Sequence, residues 1–301
     1  MRMLQEWVCK KRFSRKNGPL TRLKQIDEAA YVALAGCVDA IGDASFPRLL
    51  SSYCAELCGA SSVYLSAYFL EEKPTPLYTN HHADHINDAL KVYNDVAYVL
   101  DPFFQRFKAG KADEVLTLRE FAPDNFKRSE YYHLFYDAMG LHDETGMQVR
   151  ISDSAALFFS FGVHGSGKRT SPKQLARAFP LVSALAKRHW TVLTPERTHG
   201  TGRMAAHLEI AFNKFGESVL SPREGDIVRM ILRGHSSKSI ARHFGNSPET
   251  IKVHRRRVYN KLEITSQGQL LSLFLTALSL APLYSNEDPL TFVKDSKVPV
   301  V

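Results

Sequence analysis

Apolar positions along the first two hundred residues fall into short, separate patterns. Residues 25–60 carry apolar spacing suited to two helices, broken near Gly42 and Pro47. Val63 to Leu70 is a run of aromatic and aliphatic side chains that predicts a strand, with Pro76 to His81 as its hairpin partner. Helical patterns follow around 84–109 and 129–139. Gly146 to Ile151 and Ala155 to Val163 predict two strands joined at Ser152-Asp153-Ser154, and a long helix from Pro172 to about Leu193 ends the unit. That order suits an α+β class, an α-β-α sandwich around a small antiparallel sheet over residues 25–193. The Pro, Gly and polar residues of TPERTHGT open a linker placed at 194–216.

The pattern then changes to closely spaced helices with complete start and stop signals. Ser221-Pro222 with Glu224 three residues after the cap is a capping box with proline at the first helical position. Ile227, Val228, Ile231 and Leu232 share one face of that helix, and Gly234 ends it. A short second helix over Ser237 to Phe244 buries Ile240, Ala241 and Phe244, and Gly245-Asn246 makes a tight turn. Ser247-Pro248 starts a third helix with the same signal. Two short helices at a tight turn, the second strongly basic, follow helix-turn-helix grammar.

Projection at roughly 100° per residue places Ile251, Val258 and Leu262 in one buried stripe of the third helix. Lys252, Val253, Arg256 and Asn260 then face the opposite side, with Arg255, Arg257 and Lys261 on the flanks. Arg or Lys donates to guanine O6 and N7, and Val meets a thymine methyl, so Lys252, Val253 and Arg256 are the candidate base readers. Ser247, Thr250, Arg255, Arg257, Asn260, Lys261 and Lys238 are candidate DNA-backbone contacts, helped by the helix N-terminus near Thr250.

Charge sharpens this reading. The 301 residues carry a net +8, unevenly: +7 over 1–24, −3 over 25–216, +5 over 217–276 and −1 over 277–301. Positive charge sits in a basic tail at 1–24 and in the helix-turn-helix segment, which points to polyanion contact there. The hydrophobic content of 44% excludes a wholly disordered chain. The longest apolar run, Leu270 to Leu283, holds Ser272, Thr276 and Ser279 and falls short of the ~18 residues of a membrane span. No secretory signal follows the basic start, so a cytosolic chain is expected. Four cysteines, with Cys54 and Cys58 one helical turn apart, predict buried free thiols.

The stretch LSPREGDIVRMILRGHSSKSIARHFGNSPETIKVHRRRVYNKLEITSQGQLLSLFL resembles the LuxR/NarL-type helix-turn-helix domain of bacterial transcription regulators. The resemblance rests on the opening L-S-P-R-E, on G-x-S-x-K-x-I-A around the second helix, and on S-P-x-T-I-K-V-H with K-L after it. It implies a four-helix DNA-binding domain at 217–280, followed by a C-terminal tail at 281–301, in a protein that binds double-stranded DNA. It implies base contact at the positions of Lys252, Val253 and Arg256. It also implies a homodimer made partly by the fourth helix, through Leu270, Leu271, Phe274 and Leu278, and RNA polymerase as a further candidate partner. Ser237 and Ser239 stand where the family often has Asn and Glu.

In this family the N-terminal half receives the signal. No acidic pair of a phosphorylated receiver domain is present. Autoinducer-binding members carry a W-x3-Y-x8-D-P motif in an α-β-α sandwich. Here Asp101-Pro102 is present, Asp88 and Val92 occupy the Trp and Tyr positions, and Tyr93 lies one position on. The expected effector is therefore a small molecule other than an acyl-homoserine lactone, in an autoinducer-like or GAF/PAS-like pocket. Tyr64, Tyr68, Tyr93, Tyr98, Asp101 and Phe103 are its candidate lining, equally readable as core, with Asp101 equally readable as a cap. Aromatic walls with one carboxylate suit an amine or a hydroxylated ring.

Two other patterns carry less. Gly162 to Lys168 spells G-x4-G-K, but Arg169 stands where Ser or Thr would hold magnesium, so a loop with exposed cations is expected. His81, His82 and His85 lack companion ligands, and no Ser/His/Asp or H-E-x-x-H signature occurs. No catalytic residue, metal or cofactor is expected. The reading is a ligand-gated DNA-binding regulator acting as a dimer. The alternatives are a partner-controlled or constitutive regulator and, more remotely, a nucleotide-binding enzyme with an accessory DNA-binding domain.

Overall fold

The computed structural model describes residues 28–165, 168–191, 202–282 and 285–295. The basic stretch 1–24 lies outside them. Helices α1 (Glu28–Asp39) and α2 (Phe46–Cys58) precede β1 (Ser62–Phe69) and β2 (Thr75–Thr79). Residues 84–109 hold α3 (Asp84–Asp95), a 3-10 turn (Ala97–Leu100) and α4 (Pro102–Lys108), where one helical pattern is expected. The break falls where Pro102 disfavours helical backbone at Asp101, whose carboxylate caps α4 by accepting from Phe103 N at 2.7 Å. Then follow β3 (Glu114–Thr117), α5 (Leu118–Phe121), a 3-10 turn (Phe126–Arg128) and α6 (Glu130–Tyr132), which runs into a π turn (His133–Asp137). Two long strands, β4 (Leu141–Arg150) and β5 (Ala155–His164), and α7 (Pro172–His189) complete this half.

The five strands form one antiparallel sheet in the order β2-β1-β5-β4-β3. Both faces are covered, and the pleat divides the side chains between two cores. Val63, Leu65, Leu157, Phe159 and Phe161 pack toward α1, α2 and α7, beside the buried free thiols Cys37, Cys54 and Cys58. Tyr64, Tyr68, Ala156 and Phe158 face the other way, toward α3, α4 and α6. This two-sided burial explains why β1 is buried at every position instead of alternating. On β4, Gly146 allows the closest approach: a Cβ there would come within 2.0 Å of the Phe103 ring.

The second half comprises α8 (Gly202–Lys214), α9 (Pro222–Leu232), α10 (Ser237–Phe244), α11 (Pro248–Lys261), α12 (Gln267–Leu280) and α13 (Pro289–Asp295). Two expectations change here. The segment expected as a linker contains α8, with Leu208, Ala211, Phe212 and Phe215 buried on one stripe at helical spacing. The segment expected as a C-terminal tail contains α13, which buries Leu290 and Val293, and Asp288 accepts from Gly216 N at 2.9 Å and Ser218 N at 2.8 Å. Both additions pack on α12. The Phe274 ring meets Phe212 and Phe215 edge-on at 5.4 and 5.3 Å.

The halves share one hydrophobic cluster running from Tyr68 and Phe104 to Ile251 and Phe274. The contact is built around Gly234. Its φ of +86° suits glycine, and a Cβ would lie 2.9 Å from the Phe126 Cα. Asn125 N donates to the Gly234 carbonyl at 3.1 Å, and Asp124 accepts from Ser236 N at 3.0 Å and from Ser236 Oγ. Partial burial raises the Asp124 carboxyl, the Ser236 hydrogen bonds outweigh it, and the result lies below the ordinary value. Lys108 pairs with Glu209 across the same boundary.

Candidate functional site

The helix-turn-helix forms through local chemistry. Ser221 Oγ accepts from Glu224 N, and the Glu224 carboxylate accepts from Ser221 N at 2.9 Å, closing the capping box. Ser236 and Ser247 cap α10 and α11 by accepting from Ser239 N and Thr250 N, each at 3.1 Å. Between those helices Gly245 takes φ +66°, which lets the chain turn sharply without a side-chain clash. Ile251 and Val258 anchor α11 at zero exposure, while Leu262 is half-buried. Lys252, Val253 and Arg256 stand together on the opposite, exposed face, with Val253 50% exposed.

The flanking residues divide. Ser247, Thr250, Arg257, Asn260 and Lys238 are exposed. Arg255 is turned inward, donating to Ser237 Oγ at 3.4 Å and the Tyr259 hydroxyl at 3.2 Å. Lys261 lies 2.7 Å from Glu224, so its ammonium ties α11 to the start of α9. The expected dimer residues are a correction. Leu270, Leu271, Phe274 and Leu278 are at most 3% exposed within one chain, because α8, α9 and α13 cover them. No area on those four side chains remains for a second copy.

The second site is a cavity of about 60 Å³ on the α3/α6 side of the sheet. Tyr64, Tyr93 and Asp101 line it, as do Tyr131, Tyr136 and Glu144. Tyr68 stands behind: its hydroxyl reaches Asp101 at 3.1 Å and Tyr93 at 2.7 Å, and Tyr93 donates to Asp101 at 2.5 Å. Tyr98 and Phe103 are core residues outside the lining, packed on Phe104 and Phe158. Val92 points to solvent, so the one-position offset of Tyr93 is what turns its ring inward. Asp101 is both cap and cavity wall.

Glu144 was not among the sequence candidates. It accepts from Tyr136 at 2.7 Å and from Ser160 Oγ. Its signal is the β4 alternation, in which Glu144, Gly146 and Gln148 share the face opposite Met147 and Val149, visible only once the strand is extended back to Leu141. Burial pushes the Asp101 carboxyl up to about 6, against its hydrogen bonds from Tyr93, Phe103 and Tyr68. Burial, then the neighbouring Asp101, pushes Glu144 up to about 7. His164 Nδ1 donates to the Met139 carbonyl at 2.9 Å, and Nε2 lies 2.8 Å from Ser62 Oγ. His81, edge-on to His164, is brought down to about 4 by burial.

The remaining sequence patterns resolve simply. Gly162 lies inside β5, where a Cβ would strike Leu141 at 2.3 Å, and the next helix starts only at Pro172. That is not the strand–loop–helix of a phosphate-binding site. Among the described residues no group of three or more His, Cys, Asp or Glu is placed to hold a metal, and no helix is long and apolar enough to cross a membrane.

Comparison with known proteins decides the family. Residues 218–274 match the family of bacterial regulatory proteins called the luxR family. A protein of Aeromonas salmonicida named as an HTH-type transcriptional regulator in the exeN 3′ region is 30% identical over 197 residues, 63% of this chain and all of that one. The chain belongs to the luxR family. It is thereby a bacterial DNA-binding protein of transcription regulation. The transcriptional regulatory protein FixJ of Bradyrhizobium diazoefficiens is 40% identical over 58 residues, 19% of this chain and 28% of FixJ. Among solved structures, the VqsR LBD domain from Pseudomonas aeruginosa aligns at 20% identity with a TM-score of 0.49, over 56% of this chain and all of that domain. That likeness is too distant to bear on function.

Proposed function

We propose that this luxR-family chain reads DNA through Lys252, Val253 and Arg256 on α11 and that a small molecule held in the Asp101–Glu144 cavity sets its DNA affinity. The exposed Lys-Val-Arg face on a helix capped at Ser247 and anchored by Ile251 and Val258 carries the first part. Phosphate contact then comes from Arg257, Lys238 and the α11 N-terminus with Ser247 and Thr250, while Arg255 and Lys261 act by holding the helices together. The second part is supported by a cavity that buries two carboxylates. A ligand changes DNA affinity only as far as it binds one state better than another. Action as a dimer stays in this proposal through another surface: Tyr31, Val32 and Val38 on α1 are 55%, 68% and 48% exposed and offer apolar area to a second copy.

The test is DNA selection with the full chain, followed by anisotropy titrations on the selected site with and without compounds that raise the melting temperature. A selected sequence bound better than scrambled DNA, with affinity moved by such a compound, is the expected result. Equal affinity for selected and scrambled DNA overturns the base-reading assignment. Compounds that stabilise the chain without moving DNA affinity overturn the coupling.

A further inference from the structure

We propose that the effector is a small primary amine whose ammonium group seats between Asp101 and Glu144. This deepens the reading of the cavity as an effector site and rests on it. Both carboxylates are nearly fully buried, at 3% and 4% exposure, and they face a common space. No lysine or arginine lines that space. His81 and His164 also line it, and burial pushes His81 down to about 4, toward its neutral form. Every partner of the two carboxylates is a hydroxyl or an amide: Tyr68, Tyr93 and Phe103 N on Asp101, Tyr136 and Ser160 on Glu144. Buried charge without a counter-charge is costly, and a cation is the direct compensation.

A separate observation points to a missing occupant. Tyr131 is 2% exposed, lines the cavity and feels the charge of both carboxylates, yet none of the hydrogen bonds on Asp101 or Glu144 comes from its hydroxyl. An ammonium group brings three N–H donors. Asp101, Glu144 and the Tyr131 hydroxyl oxygen are three acceptors. The aromatic faces of Tyr64 and Tyr93 favour a cation further. The cavity, room for a few water molecules at about 60 Å³, suits a head group of that size, and Leu90, Phe135 and Phe158 supply apolar wall for an alkyl or aryl remainder.

The experiment is isothermal titration calorimetry of the full chain at pH 7, in two buffers of different ionisation enthalpy. The probes are n-butylamine and 2-phenylethylamine, their neutral counterparts 1-butanol and 2-phenylethanol, and butyrate. The amines should bind saturably with net proton release, since a cation draws the proton from a carboxyl that holds one near neutrality. The alcohols and butyrate should not bind. Glu144→Gln, which keeps the side-chain shape, should weaken amine binding roughly 30-fold or more, as loss of one buried charge partner does. Should that variant fail to fold, Tyr131→Phe removes only that hydroxyl and should weaken the same binding. Alcohols binding as well as amines, or amine affinity unmoved in both variants, overturns the amine. If neutral probes bind and lose affinity in Tyr131→Phe, the effector site stands and the amine falls. If no probe binds, the amine proposal falls, and a lactone and aromatic-acid screen by thermal shift then decides the effector site separately.

Discussion

The α11 face and the Asp101–Glu144 cavity treat charge in opposite ways. On α11, Lys252, Arg256 and Arg257 keep their charges in water, where holding them costs little and the 3.1 Å pair of Lys252 with Glu249 is itself exposed. In the cavity two carboxylates have left water, Asp101 raises the proton affinity of Glu144, and each depends on its own pair of hydroxyls. Exposed charge awaits a partner at no cost to the fold. Buried charge strains the fold until something compensates it.

The pH dependence of stability tests that contrast with the largest effect. Both carboxyls titrate higher in the folded chain than in the unfolded one, so between about pH 4 and pH 7 the folded state binds more protons. Stability is full below that window and falls as pH rises through it, by roughly 3 kcal/mol per carboxyl. Urea titrations across the window should show the fall, and Glu144→Gln should flatten it; an unchanged profile would mean the two acids are compensated already.

A smaller effect is expected on the exposed side. Lys252→Ala or Arg256→Ala should cost about 1–3 kcal/mol of binding to a selected site and relax its base preference, whereas Arg257→Ala should weaken all sequences alike and lessen the salt dependence. Anisotropy titrations at several salt concentrations separate the two, and chain stability should not move. Gly146→Ala forces a methyl into the Phe103 ring and should destabilise by about 1–3 kcal/mol on chemical denaturation. It touches neither charge nor α11, so DNA preference should persist in whatever fraction stays folded. Smallest is Ser247→Ala, which removes the α11 cap and should lower stability by about 1 kcal/mol, read as a lower melting temperature.

The same contrast governs what the sequence alone reveals. Caps, a turn and a three-residue apolar stripe are local signals, so α9, α10 and α11 are readable without tertiary information. Strands β1 and β5 announce themselves by aromatic density, although which aromatics reach the cavity depends on contacts between distant segments. Tyr98 and Phe103 share composition with Tyr64 and Tyr93 but not position. Glu144 is hidden because HDETGMQVR looks polar until its alternate residues are assigned to opposite faces. The four-residue β3 is too short for any period to show. Helix α8 had its signal in Leu208, Ala211, Phe212 and Phe215, masked by the Pro and Gly residues just before it. With α9 and α13 it covers Leu270, Leu271, Phe274 and Leu278: a helix apolar on all sides needs cover, and here its own chain supplies it.

Phe126 stands at the meeting of these two regions. Its ring touches Tyr131, Tyr132 and Tyr136 on the cavity side, and its backbone presses on Gly234 at the end of α9. Aromatic rings resist deformation, and glycine offers no side chain to give way. The stack is a strut that joins the cavity wall to the end of α9 in one unbroken contact.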